Sequence, residues 1–398
     1  MTRSVLAGAI ALTLVAPVAA IAQSNPELEA LKAQVAALNQ KIVDMEAREV
    51  EKAKVAKEAT AAPAPTAKEA KPASSWTDKV AVTGDFRYRF DGIDEEGKDY
   101  SGKQSLRARL NVNGKINDTT NVVMQLGTGG SNPRSQEATL SGDGSAKEIT
   151  LRQAYVNWKP LQDFAVTAGK MPTPWTVNPM DYFHDTDYYP EGIAVKYGAA
   201  TGFHASGFWT QIAERGSFSD ESSMLGAQVG YANDLFFANV AYQDFQRMQG
   251  YNPCYTGSNC NGNTLVGGLL ANDYNLMQAR AGVKFAGVTV FGSWDQNLEA
   301  DVEDTAYSLG VMYGKVADTG SWSVGALYQD VEKDALYGGM LDATFAGGKT
   351  AHDGYVLTGA YGLSKNWSVT GLWFVNSVDK TGAEHDYDRF QVDLLWKF

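Results

Sequence analysis

The feature that most constrains the fold is the sorting of the connections between predicted strands by length. From Trp76 to Phe398, sixteen segments show the period-two alternation of apolar and polar residues that is typical of strands. Seven short turns alternate strictly with eight long loops along this region. Transmembrane barrels place short turns at one end and long loops at the other, whereas a soluble sandwich or propeller has no reason to do so. We therefore predict an all-β fold, a transmembrane antiparallel β-barrel of about 16 strands in residues 76–398.

The last predicted strand favours a closed barrel over an open sheet. Phe390, Val392 and Leu394 alternate with polar residues, and the segment ends on Phe398. In an open sheet such a strand would leave an exposed apolar edge, whereas a closed barrel has no edge. We expect the barrel-assembly machinery to bind this strand through its terminal Phe398. The sixteen predicted strands are 79–91, 103–116, 120–127, 148–158, 163–171, 191–198, 202–214, 222–232, 235–246, 273–285, 287–297, 305–316, 320–331, 352–362, 366–378 and 387–398.

The alternation assigns a face to each side chain in the first two predicted strands. Arg87 and Arg89 share one side of the first strand, and Arg107 and Arg109 share one side of the second. An arginine facing lipid near the bilayer midplane costs about 2–4 kcal/mol, so these four side chains are expected to face a wet lumen. Large aromatic residues fall on the apolar sides near strand ends, where interfacial girdles belong. They are Trp322, Tyr328, Tyr355, Tyr361, Trp367 and Trp373.

Residues 1–22 have the features of an export signal. Arg3 supplies the positive start, an apolar run follows, and the small residues Ala20 and Ala22 precede a cleavage site before Gln23. A membrane anchor is the alternative, but the apolar run is short for that role. We therefore expect an exported chain, in which disulfides can persist.

Residues 23–58 predict a short α-helical coiled coil, and residues 59–75 predict a Pro/Ala-rich linker. Apolar residues recur at spacings of three and four from Leu28 to Met45, with charged and amide residues at the other positions. The narrow apolar stripe favours self-association, and an amphipathic helix lying on another surface is the alternative. The linker cannot bury a core and should be an extended spacer.

Composition and cysteine count exclude several classes of protein. Outside the signal, no stretch approaches the roughly 18 consecutive apolar residues of a membrane helix. The formal net charge of -12 argues against nucleic-acid binding, which needs a basic surface. Cys254 and Cys260 lie in one predicted loop, where an exported chain would most simply join them in a disulfide. Two unpaired thiols, or half of a metal site, are the alternatives.

The third long loop, predicted at residues 172–190, is the candidate constriction. It is rich in proline and aromatic residues and should therefore be stiff and well packed. Asp181, Asp185 and Asp187 make it acidic, and it contains no Lys or Arg. We expect it to fold inward and narrow a channel. His184 could form a metal site with these carboxylates, but their spacing is not distinctive, and we expect no metal.

A basic wall is predicted opposite this loop. The first, second and last strands are neighbours in a closed barrel, and their arginines fall in the half nearer the long loops. Acid on one side and guanidinium on the other create a transverse field that orients hydrated solutes. Stiffening of the wall through ion pairs is the alternative role. The predicted pore-lining residues are Asp85, Arg87, Arg89, Arg107, Arg109 and Arg389, joined from other strands by Arg280 and by Arg152, whose face the pattern leaves ambiguous.

Two segments carry a resemblance to a known family, ITLRQAYVNW at 149–158 and TAGKMPTPW at 167–175. With them, the region 76–398 resembles the Putative porin family of Gram-negative outer membranes and, more loosely, the phosphate-selective porins. The resemblance implies a sixteen-stranded channel, a homotrimer, an inward third loop and a coiled coil that extends into the periplasm. Phosphate-selective relatives rely on basic residues around the constriction. Residues 172–190 contain none, which favours general passive diffusion.

The expected function is an outer-membrane channel for passive diffusion of small hydrophilic solutes and ions, without a cofactor. The alternatives are an anion- or phosphate-selective channel, and a structural tether or adhesin joined to the cell wall through the coiled coil. An enzyme is not expected, because the sequence has no Gly-x-Ser-x-Gly motif and no convincing Ser/His/Asp arrangement. Expected partners are membrane lipid, further copies of this chain, and lipopolysaccharide bridged by divalent ions to acidic long loops. A merely solvated surface is the alternative role for those acidic loops.

Overall fold

The computed structural model describes residues 40, 41, 43, 44, 76–140, 143–214, 221–253 and 261–398. Its contacts divide the chain into two units, Met1–Pro72 and Ala73–Phe398. None of the described helical segments combines the length and the apolar composition of a membrane span. The second unit contains all of the strands described below.

Several predictions from the sequence fall where the structure describes little or nothing. Gln40, Lys41, Val43 and Asp44, within the predicted coiled coil, are helical. The features outside the described residues are the signal 1–22, the rest of the helix 23–58, the linker 59–75, and Cys254 and Cys260. These features remain predictions.

The described part of the second unit consists of sixteen long strands, three two-residue strands and three short 3₁₀ helices. The long strands are β1 (Val80–Glu95), β2 (Ser101–Lys115), β3 (Thr120–Thr128), β5 (Ile149–Leu161), β6 (Phe164–Lys170), β7 (Glu191–Tyr197), β8 (Gly202–Ala213), β9 (Ser222–Ala232), β10 (Phe236–Gln246), β13 (Tyr274–Phe285), β14 (Val288–Asn297), β15 (Thr305–Gly314), β16 (Trp322–Val331), β17 (His352–Ser364), β18 (Trp367–Val378) and β19 (His385–Lys397). The two-residue strands are β4 (Ala138–Thr139), β11 (Leu265–Val266) and β12 (Leu269–Leu270). The 3₁₀ helices are Trp76–Lys79, Gly338–Met340 and Phe345–Gly348.

The sheet closes on itself. Each long strand pairs antiparallel with the long strands before and after it, and β1 also pairs with β19. At the seam, the amide of Gly84 donates to the carbonyl of Phe398, and the amide of Phe398 donates to the carbonyl of Gly84, both at 3.0 Å. Closure leaves no unpaired edge on the C-terminal strand. The prediction of an antiparallel barrel of about 16 strands is confirmed.

Most connections are sorted by length as predicted, with two exceptions: residues 96–100 form a loop of only five residues between β1 and β2, and residues 315–321 form a turn of seven between β15 and β16. Short turns lie at the barrel end where the chain reaches Phe398, and long loops lie at the other end. The turn between β13 and β14 consists of Ala286 and Gly287, whose φ angles of 46° and 81° suit the two-residue turns of hairpins. The two ends of the barrel are therefore built from different kinds of connection.

The outer face of the barrel is apolar, as the alternation predicts. On β1, Val82, Phe86 and Phe90 are exposed, whereas Asp85 between them is buried. Of the six aromatic residues predicted for the girdles, Trp322, Tyr355, Tyr361, Trp367 and Trp373 are exposed, and Tyr328 is half-buried between neighbouring tyrosine rings. The ring of Trp367 stacks on that of Trp396 near the short turns, with centroids 5.4 Å apart.

The inner face is only partly polar. Phe374 of β18 pairs with Arg389, Val356 of β17 pairs with Phe374, and Leu327 of β16 pairs with Val356. Directly paired residues share one face of a sheet, so this row of apolar side chains points inward together with Arg389. All three apolar residues are buried. These strands therefore form an apolar sector of the inner face, which is covered by loops that fold into the barrel.

Candidate functional site

The third long loop, Met171 to Pro190 in the structure, reaches across the inside of the barrel. It leaves β6 and returns to β7, yet its backbone at Thr176 exchanges two hydrogen bonds with the side-chain amide of Gln228 on β9, at 2.7 and 3.1 Å. Further along, the side-chain amide of Asn178 donates to Ser293 on β14 at 2.8 Å. Gln228 and Ser293 are buried on the inner face. The loop therefore lies within the lumen.

Asp181 anchors the middle of this loop to the barrel wall. Its carboxylate lies 3.5 Å from the guanidinium of Arg280 on β13 and accepts hydrogen bonds from the amides of Phe183 and His184. Burial alone would raise the pKa of Asp181. The imidazole of His184, whose Nδ1 lies 3.6 Å from the carboxylate, and the guanidinium of Arg280 outweigh that effect and lower the pKa of Asp181 to about 2. Asp181 is thus an ionised anchor.

Asp185 and Asp187 also bind the protein rather than project into open space. Asp185 accepts hydrogen bonds from the amides of Asp187, at 2.7 Å, and Ala343, at 2.9 Å. Asp187 accepts a hydrogen bond from the side-chain amide of Gln136 at 2.8 Å, and it lies 3.8 Å from Arg107. The three carboxylates that made the loop a candidate constriction therefore also hold it in place.

Three adjacent strands, β19, β1 and β2, carry five of the arginines predicted to line the pore, and the charges of these arginines are paired. Arg389 binds Asp91 through two hydrogen bonds of 2.7 and 2.8 Å. Arg89 binds Asp393 in the same bidentate way, at 2.6 and 2.7 Å. This fork geometry gives the strongest ion pairs in proteins.

The remaining arginines of the wall share carboxylates. Asp85 binds Arg107 at 3.1 Å and Arg109 at 2.7 Å. Arg87 binds Glu137, which enters from the second long loop. These arginines therefore join the wall strands and a loop through ion pairs, which is the alternative role considered for them, and their role in a pore stays a prediction.

A β-bulge explains the ambiguous face of Arg152. The register between β3 and β5 shifts between Gln125 and Leu126, so that β5 has one extra residue there. Both Arg152 and Gln153 are buried as a result. Arg152 lies near the third loop, with its guanidinium 3.5 Å from the carbonyl of Asp187. Arg280, on β13, joins Asp181 to Asp295 on β14.

A second loop inside the barrel was not predicted. The seventh long loop, residues 332–351, contains two of the 3₁₀ helices and buries Tyr337, Met340, Leu341 and Phe345. These side chains join Trp175 and other third-loop residues in two apolar clusters, together with buried side chains from β7 to β19. The apolar composition of this loop was the signal available in the sequence.

The two inserted loops leave a cavity of about 840 Å³ beside the arginine wall. Along β19 its lining extends from Tyr387 near the long loops to Leu395 near the short turns. These nine residues of strand span roughly 26 Å, so the cavity runs along most of the barrel. The third loop contributes Met180 and Tyr182 to the opposite side.

A second cavity, of about 760 Å³, lies at the short-turn end, below the start of the third loop. It is lined by a row of asparagines that bond across strands. Asn121 donates to Asn113, and Asn157 donates to Asn121, both at 3.2 Å. Pro172 and Pro174 of the third loop form part of its lining. The inner surface here is polar, as the alternation predicts.

Several lining residues were missing from the sequence-based set. Asp91 continues the alternation of β1 by one further step beyond Arg89, so the pattern could have found it. Glu137 and Arg134 belong to the second long loop, where no periodic signal exists. Within the described residues, no group of three or more His, Cys, Asp or Glu side chains could hold a metal ion.

Comparison with known proteins relates this chain to a porin family and its fold to solved porins. A family model described as "Putative porin" matches residues 95–264 and 269–398. Variants of the porin of Rhodopseudomonas blastica have 15–16% identity to this chain and TM-scores of 0.50 to 0.52, covering 80% of this chain and 100% of the solved chains. At such identity the likeness concerns the fold alone. A search of curated proteins found no match.

Proposed function

The chain belongs to the Putative porin family, and on that premise we propose that its barrel is a water-filled channel in the outer membrane. Small hydrophilic solutes and ions would diffuse through it passively. The observation that carries this proposal is the cavity of about 840 Å³ that follows the inner wall beside paired arginines and carboxylates. A sixteen-stranded barrel is too wide for side chains alone to fill, which is why such barrels leave aqueous channels.

The third loop is the proposed constriction. Its hydrogen bonds to Gln228 and Ser293, and its ion pair with Arg280, support a position across the lumen. Anchors on three different strands make it stiff, so the width that it leaves is a fixed property of the channel. Solutes would pass between this loop and the wall formed by β19, β1 and β2.

Weak ion selectivity follows from the pairing of charges in the wall. Each of Arg87, Arg89 and Arg389 binds a carboxylate, and Arg107 and Arg109 share Asp85. A paired wall presents alternating charges with little net field along the path, and this supports general diffusion over anion or phosphate selectivity.

The membrane setting and the assembly state are part of the same proposal. The exposed apolar outer face, with aromatic rings near both ends, suits lipid contact. Self-association as a homotrimer, with the helix 23–58 in the periplasm and a disulfide between Cys254 and Cys260, completes the arrangement. Cross-linking of the protein in outer-membrane vesicles would test the trimer, which predicts a three-chain product.

Liposome swelling tests the channel directly. Vesicles containing the purified protein should swell in solutions of small neutral sugars, and the rate should fall as the sugars become larger. Heat-unfolded protein is the matched control and should give no swelling. Release of fatty acids from the same vesicles without swelling would instead support an outer-membrane hydrolase and contradict the channel.

A further inference from the structure

The seventh long loop, residues 332–351, occupies the lumen together with the third loop. The amide of Asp185 donates to the carbonyl of Met340 at 2.8 Å, and the amide of Asp342 donates to the carbonyl of Tyr182 at 3.3 Å. In return, the amide of Ala343 donates to the carboxylate of Asp185 at 2.9 Å. Hydrogen bonds in both directions join the two loops into one inserted body.

The seventh loop also contacts the conducting side of the barrel. The carbonyls of Ala343 and Thr344 accept hydrogen bonds of 3.1 and 3.2 Å from the guanidinium of Arg389. Both residues, with Asp342, line the cavity beside the arginine wall. A movement of this loop would therefore change the width of the cavity.

One buried arginine connects this loop to two others. Nη1 of Arg134, in the second long loop, lies within hydrogen-bond distance of three carbonyls of the seventh loop. They belong to Gly338 at 3.1 Å, Leu341 at 3.2 Å and Gly348 at 2.9 Å. Nη2 of the same side chain donates to the side-chain oxygen of Asn261, at 2.6 Å, in the fifth long loop.

The fifth loop, residues 247–273, also binds the seventh loop directly. The side-chain amide of Asn263 donates to the carbonyls of Lys333 and Leu336, at 2.9 and 2.8 Å. Its side-chain oxygen accepts a hydrogen bond from the amide of Gly338 at 2.8 Å. Side chains of neighbouring loops thus bind polar backbone groups of the inserted loop. These hydrogen bonds offset the free-energy cost of burying those groups.

We propose that the seventh loop is a second narrowing element of the channel and that Arg134 is the positioning residue that latches it in place. The proposal rests on the proposed channel function. A planar guanidinium can serve carbonyls of the loop and Asn261 at once, whereas a lysine ammonium lacks this fork of donors. Losing these hydrogen bonds would release the loop from the lumen and leave a wider path.

Two substitutions of Arg134 test the latch, with a matched control. R134Q removes the charge, and R134K keeps the charge but loses the planar fork. R247Q is the control, because Arg247 also donates to a loop carbonyl, that of Glu221 at 2.6 Å, but does so outside the cavity lining. N261A removes the hydrogen bond between Arg134 and the fifth loop but leaves Arg134 in place. It therefore tests the latch even if R134Q fails to fold.

The first measurement is the rate of tryptic cleavage after Lys333 and Lys349, which flank the inserted segment. Hydrogen bonds from a charged group stabilise the inserted position of the loop. Losing them should make tryptic cleavage at least about tenfold faster in R134Q and R134K, but not in R247Q. N261A should give a smaller increase. Unchanged cleavage in both Arg134 variants would overturn the latch, whatever the channel does.

The second measurement is single-channel conductance in planar bilayers. We expect a larger conductance in R134Q and R134K than in wild type and R247Q. Faster cleavage with unchanged conductance would overturn the narrowing role. A change in R134Q alone, with R134K equal to wild type in both measurements, would assign the effect to charge and also overturn the latch. A wild-type protein without any current would overturn the channel function itself, while the cleavage result still judges the latch.

Discussion

At the scale of single residues, the ion pairs of the wall have a clear physical origin. A guanidinium enclosed by protein is costly unless a carboxylate compensates it, and removing one partner of such a pair leaves an uncompensated charge. Asp85 compensates Arg107 and Arg109 together. Substituting the arginines would therefore leave this part of the wall more negative, and substituting Asp85 would leave it more positive.

Neutralising both arginines should make the channel prefer cations. In the double variant R107Q/R109Q, Asp85 would lose both guanidinium partners and present an unpaired negative charge to the lumen. Reversal potentials measured across a bilayer in a potassium chloride gradient should shift toward the cation potential. D85N is the opposite control and should shift the reversal potential toward anions. Equal reversal potentials in all three proteins would reduce these residues to a structural role.

Asp185 makes the contact between the inserted loops sensitive to pH. Burial raises its pKa, and the neighbouring carboxylates of Asp342 and Asp187 raise it further. Because this folded-state pKa lies above the unfolded value of about 3.9, the stability that Asp185 contributes is fully present below about pH 4. That contribution is lost as the pH rises through the folded-state pKa.

The loops should therefore be held together less firmly in alkaline than in acidic solution. Fluctuations of the open-channel current should increase between acidic and alkaline buffers in the wild type, because Asp185 becomes charged next to two other carboxylates. D185N cannot ionise, and its fluctuations should depend less on pH. Identical pH dependence in wild type and D185N would contradict this role for Asp185.

At the scale of elements, strands were predictable and loop contacts were not. The faces of β1 follow from alternation, because each side chain alternates with its neighbour whatever the rest of the chain does. Arg152 escaped this rule because a bulge inserts one extra residue into β5. The pair of Arg87 and Glu137 joins residues 50 positions apart, and no local pattern predicts such contacts.

The seventh loop shows a second limit of the sequence pattern. Its apolar residues, such as Tyr337 and Phe345, have no periodicity, since they belong to turns and short 3₁₀ helices. Their inward position depends on apolar partners such as Phe374, which points inward from β18. Only the tertiary structure brings these two groups together.

The third loop should detach if its main apolar anchor is removed. Trp175 is buried, with its ring 5.0 Å from that of Phe208 on β8. Truncating a buried tryptophan to alanine costs about 3–5 kcal/mol, so W175A should expose the loop to chymotrypsin, which cuts at its several aromatic residues. W373A is the control, because Trp373 lies on the exposed outer face. Equal cleavage of the two variants would contradict the packing role of Trp175.

At the scale of the whole molecule, closure of the sheet into a barrel and filling of its lumen by loops are separate properties. Pairing of β1 with β19 makes the barrel, and its polar sector lies along β19, β1 and β2. The apolar sector is covered by the third and seventh loops. Solutes are therefore expected to pass on one side of the lumen rather than along its axis.

The barrel should conduct without the N-terminal region. A chain lacking residues 23–75 retains every long strand and both inserted loops. Its single-channel current should equal that of the full chain, because none of the described lining residues belongs to the deleted segment. Loss of current in a variant that still folds would favour a role in which the helix and the barrel act together, such as a tether.

The most direct test of the channel is a planar-bilayer recording of the purified, folded full-length protein. Insertion of single molecules should produce discrete, lasting steps of current that grow in proportion to voltage. If folded protein enters the bilayer and no such steps occur, the lumen does not conduct, and the account of this molecule as a channel is contradicted.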